Sequence, residues 1–163
     1  MKSKTVEQSK VNIGSLMQPE HANIAGNVHG GEIMKLMDNA AGIVAFRHAR
    51  MNTVTARVDE LEFHLPIHIG NLVMCDAQIT FVGKSSMEIL VTVFVEDFDK
   101  EEPPQLALTA FFTMVALDKN GKTTPVPSLK ITTDEERRLF EEGRQRYLGY
   151  KEKQGQKQGQ KQK

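Results

Sequence analysis

The chain of 163 residues lacks most features that mark secreted, membrane-spanning or nucleic-acid-binding proteins. It has one cysteine, Cys75, which excludes an internal disulfide and fits a reducing compartment. Lys plus Arg and Asp plus Glu both number 21, so bulk charge indicates neither a nucleic acid nor an anionic membrane as partner. No apolar run approaches the roughly 18 to 20 residues that span a bilayer, and residues 1–10 lack the apolar segment of a signal peptide. We therefore expect one cytoplasmic domain with its own core.

The stretch 23–50 carries the strongest periodic signal in the sequence. Apolar residues recur there at intervals of three and four, which predicts a helix with one continuous buried face. The residues of this face are Ile33, Leu36, Met37, Ala40, Ala41, Val44 and Ala45. Gly30 and Gly31 mark the start of the helix, because glycine is unfavourable inside a helix and allows close approach of the backbone.

Two features of this helix can carry chemistry. The N–H groups of its first turn have no acceptor within the helix and carry the positive end of its dipole, so they suit a carbonyl oxygen that gains negative charge. Asp38 lies two turns further on, at the edge of the apolar face, where a carboxylate is costly unless it is paired or used. A salt bridge with Lys35 is the structural alternative. Residue types and spacing alone leave both interpretations open.

Four segments after the helix are rich in β-branched and aromatic residues, which is typical of strands. They span residues 54–65, 72–82, 87–98 and 106–117. Alternation in the second segment predicts one face made of Val73, Cys75, Ala77, Ile79 and Phe81. Residues 13–18 form either a short first strand or a connecting segment. A long apolar helix and a single curved antiparallel sheet can bury each other, so the sequence predicts an α+β domain.

The two ends of the chain differ in composition from this domain, which we place at residues 13–130. Residues 1–12 are polar and are expected to be flexible. Residues 131–150 are expected to form a mostly solvated C-terminal helix, because Thr133 begins a Thr-Asp-Glu-Glu capping-box pattern. Residues 151–163 have low complexity and are expected to be a disordered polar tail without chemistry.

Several separated motifs occur in a characteristic order. They are Asn23-x-x-Gly26-Asn27-x-His29-Gly30-Gly31, then Asp38, then Phe63-x-x-Pro66-x-x-x-Gly70, and finally Gly83-Lys84-Ser85-Ser86-Met87. Over residues 17–117 or so, the chain closely resembles the hotdog-fold acyl-CoA thioesterases of the acyl-CoA hydrolase group. The resemblance implies a hotdog fold, in which a curved antiparallel sheet wraps a long central helix. It also implies hydrolysis of acyl-CoA to a free carboxylic acid and coenzyme A.

The resemblance assigns catalytic roles to individual residues. Asp38 is implied to be the general base that activates water or, as the alternative, the nucleophile that attacks the thioester. Asn23, which by itself would be interpreted as a turn residue, is implied to be a second catalytic residue facing Asp38 of the partner protomer. Gly30 and Gly31 are the implied oxyanion donors. The resemblance implies a homodimer as the minimal active unit and a trimer of dimers as the assembly. Uncovered sheet edges favour the pairing of two protomers.

The turn 83–86 is the candidate site for the pantetheine or phosphate end of coenzyme A, because N–H groups, two hydroxyls and one ammonium suit an anionic ligand. Its residues are Gly83, Lys84, Ser85 and Ser86. A solvated hairpin turn is the structural alternative. Arg57 is a second predicted phosphate contact, and Arg47, His48 and Arg50 are predicted rim residues.

No metal and no organic cofactor is predicted, apart from coenzyme A as part of substrate and product. His64 and His68 are four residues apart but fall in a strand and proline segment, where they would not share a face. His29 is interpreted as a structural hydrogen-bonding residue rather than a base. Four residues near Asp38 can line an acyl pocket, although core packing is favoured for each: Met34, Gly42, Ile43 and Phe46.

Two other functions remain as alternatives. A hotdog module that binds acyl-CoA without turnover would keep the Gly-Gly helix start and the Lys-Ser-Ser turn but would not need Asp38. A hotdog hydratase or dehydratase would need a His and acid pair, for which His29 is the nearby candidate, and the motif order does not match. The fold alone does not separate these functions.

Overall fold

A computed structural model describes the chain from residue 1 to residue 160, with side chains to residue 156. It contains seven strands and two α-helices within these residues. In chain order they are β1 (Lys4–Thr5), β2 (Val11–Leu16), α1 (Gly30–Ala49), β3 (Asn52–Phe63), β4 (Leu72–Val82), β5 (Ser86–Glu96), β6 (Gln105–Leu117), β7 (Leu129–Lys130) and α2 (Asp134–Gln160). A short 3₁₀ turn, Pro19–His21, lies between β2 and α1.

Strands β2 to β6 form one antiparallel sheet in the order β2-β4-β5-β6-β3. Helix α1 contacts all five strands, and its buried face supplies Ile33, Met37, Val44 and four alanines to the core. Leu36, the remaining member of the predicted face with a large side chain, is only half-buried. The predicted α+β layout of one long helix against one antiparallel sheet is therefore confirmed.

An extra residue in β4 changes the direction of the side chains that follow it. Thr80 is unpaired between Ile79 and Phe81, and the register shifts at this point. Residues two apart on a regular strand share a face, but one inserted residue reverses this relation. Phe81 consequently packs on α2, with its ring centroid 5.0 Å from that of Phe140. The prediction that Phe81 shares a face with Ile79 was wrong.

The structure corrects the expectation that residues 1–12 are flexible. Strand β1 pairs with β7, and Val6 is buried. Lys4 Nζ donates to the main-chain oxygens of Arg47 and His48 at 2.9 and 2.6 Å. These oxygens lie in the last turn of α1, where a cation is favourable because the carbonyl groups have no partner within the helix. Polar composition alone does not reveal such a cap.

Helix α2 begins as predicted, because Thr133 Oγ1 accepts from the N–H of Glu136 at 3.1 Å. It packs on the sheet through Gly143, where a Cβ would lie 2.8 Å from that of Phe81. The helix continues past the predicted end at residue 150, and residues 151–156 are exposed. Lys, Gln and Glu are good helix formers, which accounts for a helix where a disordered tail was expected. The last three residues of that expected tail lie outside the described residues.

Candidate active site

Asp38 lies on the exposed side of α1 and is held by β3. The hydroxyl of Thr55 donates to Asp38 Oδ1 at 2.6 Å. Lys35 pairs with Glu32 at 3.3 Å, so it does not form the salt bridge that was the structural alternative for Asp38. Within the part of the chain that the structure describes, Asp38 Oδ2 has no hydrogen-bond partner. One oxygen of the carboxylate is therefore fixed, and the other is available to a ligand or a water molecule.

An open groove of 820 Å³ runs between α1 and β3 beside this carboxylate. Helix α1 contributes Asp38, Gly42, Ile43 and Phe46 to its wall. Phe46 is 54% exposed, which excludes the core-packing role that was favoured for it from the sequence. Met34 packs against the core instead and does not line the groove. Three of the four residues considered for an acyl pocket thus lie together next to Asp38.

The side chain of the residue that precedes α1 caps the start of this helix. His29 is the N-cap residue, and its Nδ1 accepts from the N–H of Gly31 at 2.9 Å. This contact agrees with the structural role interpreted for His29. A substrate oxygen can reach the Gly31 N–H only if the imidazole rotates away, so the oxyanion role of Gly31 stays a prediction. The N–H of Gly30 makes no hydrogen bond to any of the described residues.

Asn23 forms the turn that precedes this helix. Its Oδ1 accepts from the N–H groups of Ala25 and Asn27 at 2.9 and 3.2 Å. This is the turn role that the sequence suggests for an isolated asparagine. Asn23 does not line the groove beside Asp38 of the same chain, so its catalytic role also stays a prediction.

A bulge in β3 places the side chains of Thr55 and Arg57 on opposite faces of the sheet. Thr55 is opposite Met114 and Arg57 is opposite Thr113, so Ala56 is an inserted residue. On a regular strand Thr55 and Arg57 would share a face, and the insertion separates them. Thr55 reaches the side of α1, and Arg57 reaches the side of α2. The signal for this bulge is a relation between two strands and cannot be detected in either strand alone.

A second cavity, of 490 Å³, lies on the α2 side of the sheet. Four of the five predicted coenzyme A contacts line it: Arg57, Lys84, Ser85 and Ser86. The fifth, Gly83, shapes the turn, because its N–H donates to the main-chain oxygen of Ser86 at 2.8 Å. A Cβ at Gly83 would lie only 2.8 Å from Ser86 Oγ and 3.2 Å from the ring of Tyr147. The structure therefore brings the predicted phosphate contacts together around one cavity.

One wall of this cavity comes from α2, to which sequence reasoning assigned no chemistry. Its contributions are Tyr147, Tyr150, Lys151 and Gln154. The guanidinium carbon of Arg57 lies 3.1 Å from the ring centroid of Tyr150, and the Tyr150 hydroxyl donates to Asp59 Oδ1 at 2.7 Å. This hydrogen bond raises the pKa of Tyr150. Steps of three and four residues between these positions place them on one helix face, a signal that was available in the sequence.

The three predicted rim residues have different environments. His48 is fully buried, and its Nε2 lies 2.8 Å from the main-chain oxygen of Pro127. Burial lowers the pKa of His48, so the prediction that it adds positive charge at the rim was wrong. Arg47 lines the groove beside Asp38 and donates to the main-chain oxygen of Lys10 at 2.8 Å. Arg50 ends α1 in the left-handed conformation, with φ of 57°.

The chain is similar to proteins whose names describe one activity. The family model of the thioesterase superfamily matches residues 25–101. A cytosolic acyl coenzyme A thioester hydrolase of Rattus norvegicus is 43% identical over 150 residues, which are 91% of this chain and 39% of the rat protein. An uncharacterised acyl-CoA thioester hydrolase of Bacillus subtilis is 42% identical over 130 residues, which are 80% of this chain and 75% of that protein. The chain belongs to the thioesterase superfamily.

Solved structures of superfamily members extend the likeness to the whole fold. A hexameric acyl-CoA thioesterase without ligand superposes with a TM-score of 0.87 at 31% identity, over 94% of this chain and 97% of that one. An acyl-CoA hydrolase of Staphylococcus aureus, solved with butyryl coenzyme A, coenzyme A and coenzyme A disulfide, has a TM-score of 0.85 at 29% identity, over 96% and 95% of the two chains. The predicted hotdog fold and family are therefore confirmed. The chain spans about two fifths of the length of its mammalian relatives.

Further structures of the Staphylococcus aureus acyl-CoA hydrolase carry alanine in place of an asparagine, an aspartate or a threonine. In that protein the aspartate follows the asparagine by fifteen residues, and the threonine follows the aspartate by seventeen. The same intervals separate Asn23, Asp38 and Thr55. Thr55 is thus a candidate site residue that sequence reasoning missed.

The described residues contain no group of three or more His, Cys, Asp or Glu side chains that could hold a metal ion. Cys75 is buried in the core, and burial raises the pKa of its thiol to about 12, so it is a poor nucleophile. Neither helix of the described chain combines the length and the hydropathy needed to cross a membrane.

Proposed function

We propose that this protein is an acyl-CoA thioesterase that hydrolyses its substrate to a free carboxylic acid and coenzyme A. The observation that carries the proposal is the carboxylate of Asp38, which Thr55 holds at 2.6 Å on the wall of an open groove. A carboxylate with one fixed oxygen and one available oxygen suits a general base that acts on a positioned water molecule. The names of the relatives and the coenzyme A complexes of a superfamily member support the same activity.

In the proposed reaction, Asp38 takes a proton from water while the water oxygen bonds to the carbonyl carbon of the thioester. Main-chain N–H groups stabilise the oxyanion that forms. The carbon–sulfur bond then breaks, and the sulfur leaves with that proton as the thiol of coenzyme A. Direct attack by Asp38 to give an anhydride is the alternative, and water would hydrolyse the anhydride in a second step.

The helix geometry supports an active site made by two protomers. Gly30 and Asp38 are eight residues apart on α1, which is about 12 Å along the helix axis. A reacting carbonyl group must lie about 3 Å from the oxyanion donors and within reach of a water molecule that the base holds. Asp38 therefore needs donors from a second copy of the chain, and the N–H of Gly30 is the one without an internal partner. We infer a homodimer as the minimal active unit and a trimer of dimers as the assembly, in agreement with the hexameric relative.

The cavity on the α2 side is the proposed site for the phosphates of coenzyme A. Arg57 is already paired with Asp59 through its Nε at 2.5 Å, which offsets part of its charge. Lys84 forms no ion pair with any described residue and is exposed, so we assign it the main phosphate contact, with Ser85 and Ser86 as hydrogen-bond donors. A cytoplasmic location agrees with the lone cysteine and with the cytosolic rat relative.

Release of thiol from an acyl-CoA tests the activity, with Asp38→Asn and Asn23→Ala as variants. Asp38→Asn keeps the shape of the side chain but removes the base, and we expect turnover to fall by at least about a hundredfold. Unchanged turnover in this variant would reject the assigned role of Asp38. A wild type that binds coenzyme A tightly but releases no thiol would favour the non-catalytic binding module.

Mixing the two variants tests whether the site lies between protomers. A dimer with one Asp38→Asn chain and one Asn23→Ala chain has one site with both native residues and one site with neither. Random mixing after reversible dissociation should restore about a quarter of wild-type activity, since half of the dimers are mixed and each has one intact site. No recovery, despite mixed dimers that are detected by mass spectrometry, would place Asn23 and Asp38 of one chain in one site.

A further inference from the structure

Gly42 lies in the middle of α1 although nothing in the surrounding structure requires a glycine there. A Cβ at this position would meet no atom within 4 Å. By contrast, a Cβ at Gly143 would lie 2.6 Å from a side-chain oxygen of Glu88. Glycine in a helix interior is less favourable than alanine. The absence of a side chain at Gly42 therefore needs an explanation other than packing within the chain.

The space above Gly42 belongs to the groove that begins at Asp38. Gly42 follows Asp38 by one helical turn, and Phe46 follows by a second, so the three positions share one face of α1. Val54 and Met114 form the opposite wall. Phe46 and Val54 are 54% and 41% exposed, so apolar surface faces the opening on both sides. Asp38 thus lies at one end of the groove, and the lining beyond Gly42 is mostly apolar, with Arg47 and Thr53 as its polar members.

We propose that the apolar part of this groove holds the acyl chain of the thioester, and that the missing side chain of Gly42 sets the largest acyl group that the protein accepts. This inference rests on the proposed thioesterase function. The thioester carbonyl has to lie beside Asp38, so the acyl chain leaves the carbonyl next to that residue. The phosphates of coenzyme A are assigned to the cavity with Arg57 and Lys84 on the other face of the sheet, so they do not compete for this groove. The groove past Gly42 is continuous with Asp38, and its mostly apolar lining suits an acyl chain.

The spacing of residues along α1 predicts which acyl chains a side chain at position 42 would obstruct. Gly42 is about 6 Å from Asp38 along the helix axis, and Phe46 is about 12 Å away. A side chain added at Gly42 should leave room for an acetyl group and should obstruct longer chains. Each methylene that the groove buries favours the substrate by about fourfold, so the obstruction should become stronger with chain length.

The test compares Gly42→Leu and Gly42→Ala with Lys35→Leu, which adds the same leucine to an exposed position of α1 outside this groove. The measured quantity is kcat/KM for coenzyme A thioesters from acetyl to dodecanoyl. We expect Gly42→Leu to stay within about twofold of wild type for acetyl-CoA and to lose more than about tenfold for octanoyl-CoA and longer substrates. The kcat/KM values of Gly42→Ala should lie between those of wild type and Gly42→Leu. Lys35→Leu should have the kcat/KM of wild type at every chain length.

An unchanged chain-length profile in Gly42→Leu, or an equal loss at every length with the assembly intact, would overturn the inference. Dissociation of the assembly in Gly42→Leu, measured by light scattering, would also overturn it, because a second copy of the chain would then occupy the groove. S-alkyl coenzyme A thioethers, which cannot be hydrolysed, separate this inference from the proposed function. If wild type hydrolyses no thioester but binds longer thioethers more tightly, and Gly42→Leu loses that gain, the groove assignment holds and the thioesterase function fails.

Discussion

Replacing Thr55 by valine tests how the active carboxylate is held. Valine has nearly the same shape as threonine but cannot donate the 2.6 Å hydrogen bond to Asp38. A hydrogen bond to a charged acceptor contributes about 1.5 to 3 kcal/mol. Since 1.4 kcal/mol corresponds to a factor of about ten, we expect kcat to fall by about tenfold to a hundredfold. KM should change little, because valine keeps the shape that Thr55 gives to the groove wall and Thr55 does not line the cavity proposed for the phosphates.

Steady-state thiol release with one acyl-CoA measures both constants, and Thr55→Ser is the matched control. Serine keeps the donor, so we expect it to recover kcat to within a few-fold of wild type. The reasoning would be refuted if Thr55→Val kept wild-type kcat, or if Thr55→Ser were as slow as Thr55→Val. Thermal unfolding of both variants shows whether the fold is retained, because valine also loses the 3.3 Å contact of the Thr55 hydroxyl with Met114 Sδ, which serine keeps.

Three further predictions address the cavity, the packing of α2 and the pH dependence of stability. Tyr150→Leu removes the aromatic ring from Arg57, so KM for acyl-CoA should rise by roughly threefold to thirtyfold while kinetics with acyl-pantetheine, which lacks the nucleotide, stay unchanged. A similar rise in KM for both substrates would contradict this role. Gly143→Ala places a Cβ 2.8 Å from that of Phe81, which should lower the free energy of unfolding by about 1 to 3 kcal/mol, and an unchanged melting temperature would contradict it. Burial lowers the pKa of His48, so below about pH 6.5 the unfolded chain binds a proton there more readily than the folded chain, and stability should fall as the pH drops through that value. His48→Gln should reduce the fall in the urea midpoint between about pH 7.5 and pH 5.5, and an equal fall in both proteins would show that another group is responsible.

The sequence predicts well those elements whose residue pattern lies within a single segment of the chain. The apolar face of α1 repeats every three to four residues, and the helix begins at Gly30 as the paired glycines indicate. Strand β4 has the predicted bounds, 72–82. Side-chain periodicity depends only on the backbone geometry of one element, so one element is enough to detect it.

The elements that the sequence misses depend on a partner elsewhere in the chain. The inserted residues Ala56 and Thr80 are defined by the strands opposite them. Lys4 is polar and close to the N-terminus, yet it caps a helix more than forty residues away. The position of Tyr150 over Arg57 requires α2 to cross the sheet at one particular place. None of these relations leaves a periodic trace in the sequence.

The sequence by itself determined the helix, the antiparallel strands, the acid at position 38 and the turn at 83–86. Each of these features depends on the types and spacing of residues that are close together in the chain. Tertiary structure alone decided that Thr55 holds the acid and that Arg57 lies on the other face of the sheet, because one inserted residue in β3 separates them. The predicted helix already implies that Gly30 and Asp38 are about 12 Å apart along its axis, since the helical rise fixes that distance. For this reason we expect the reaction to require two copies of the chain.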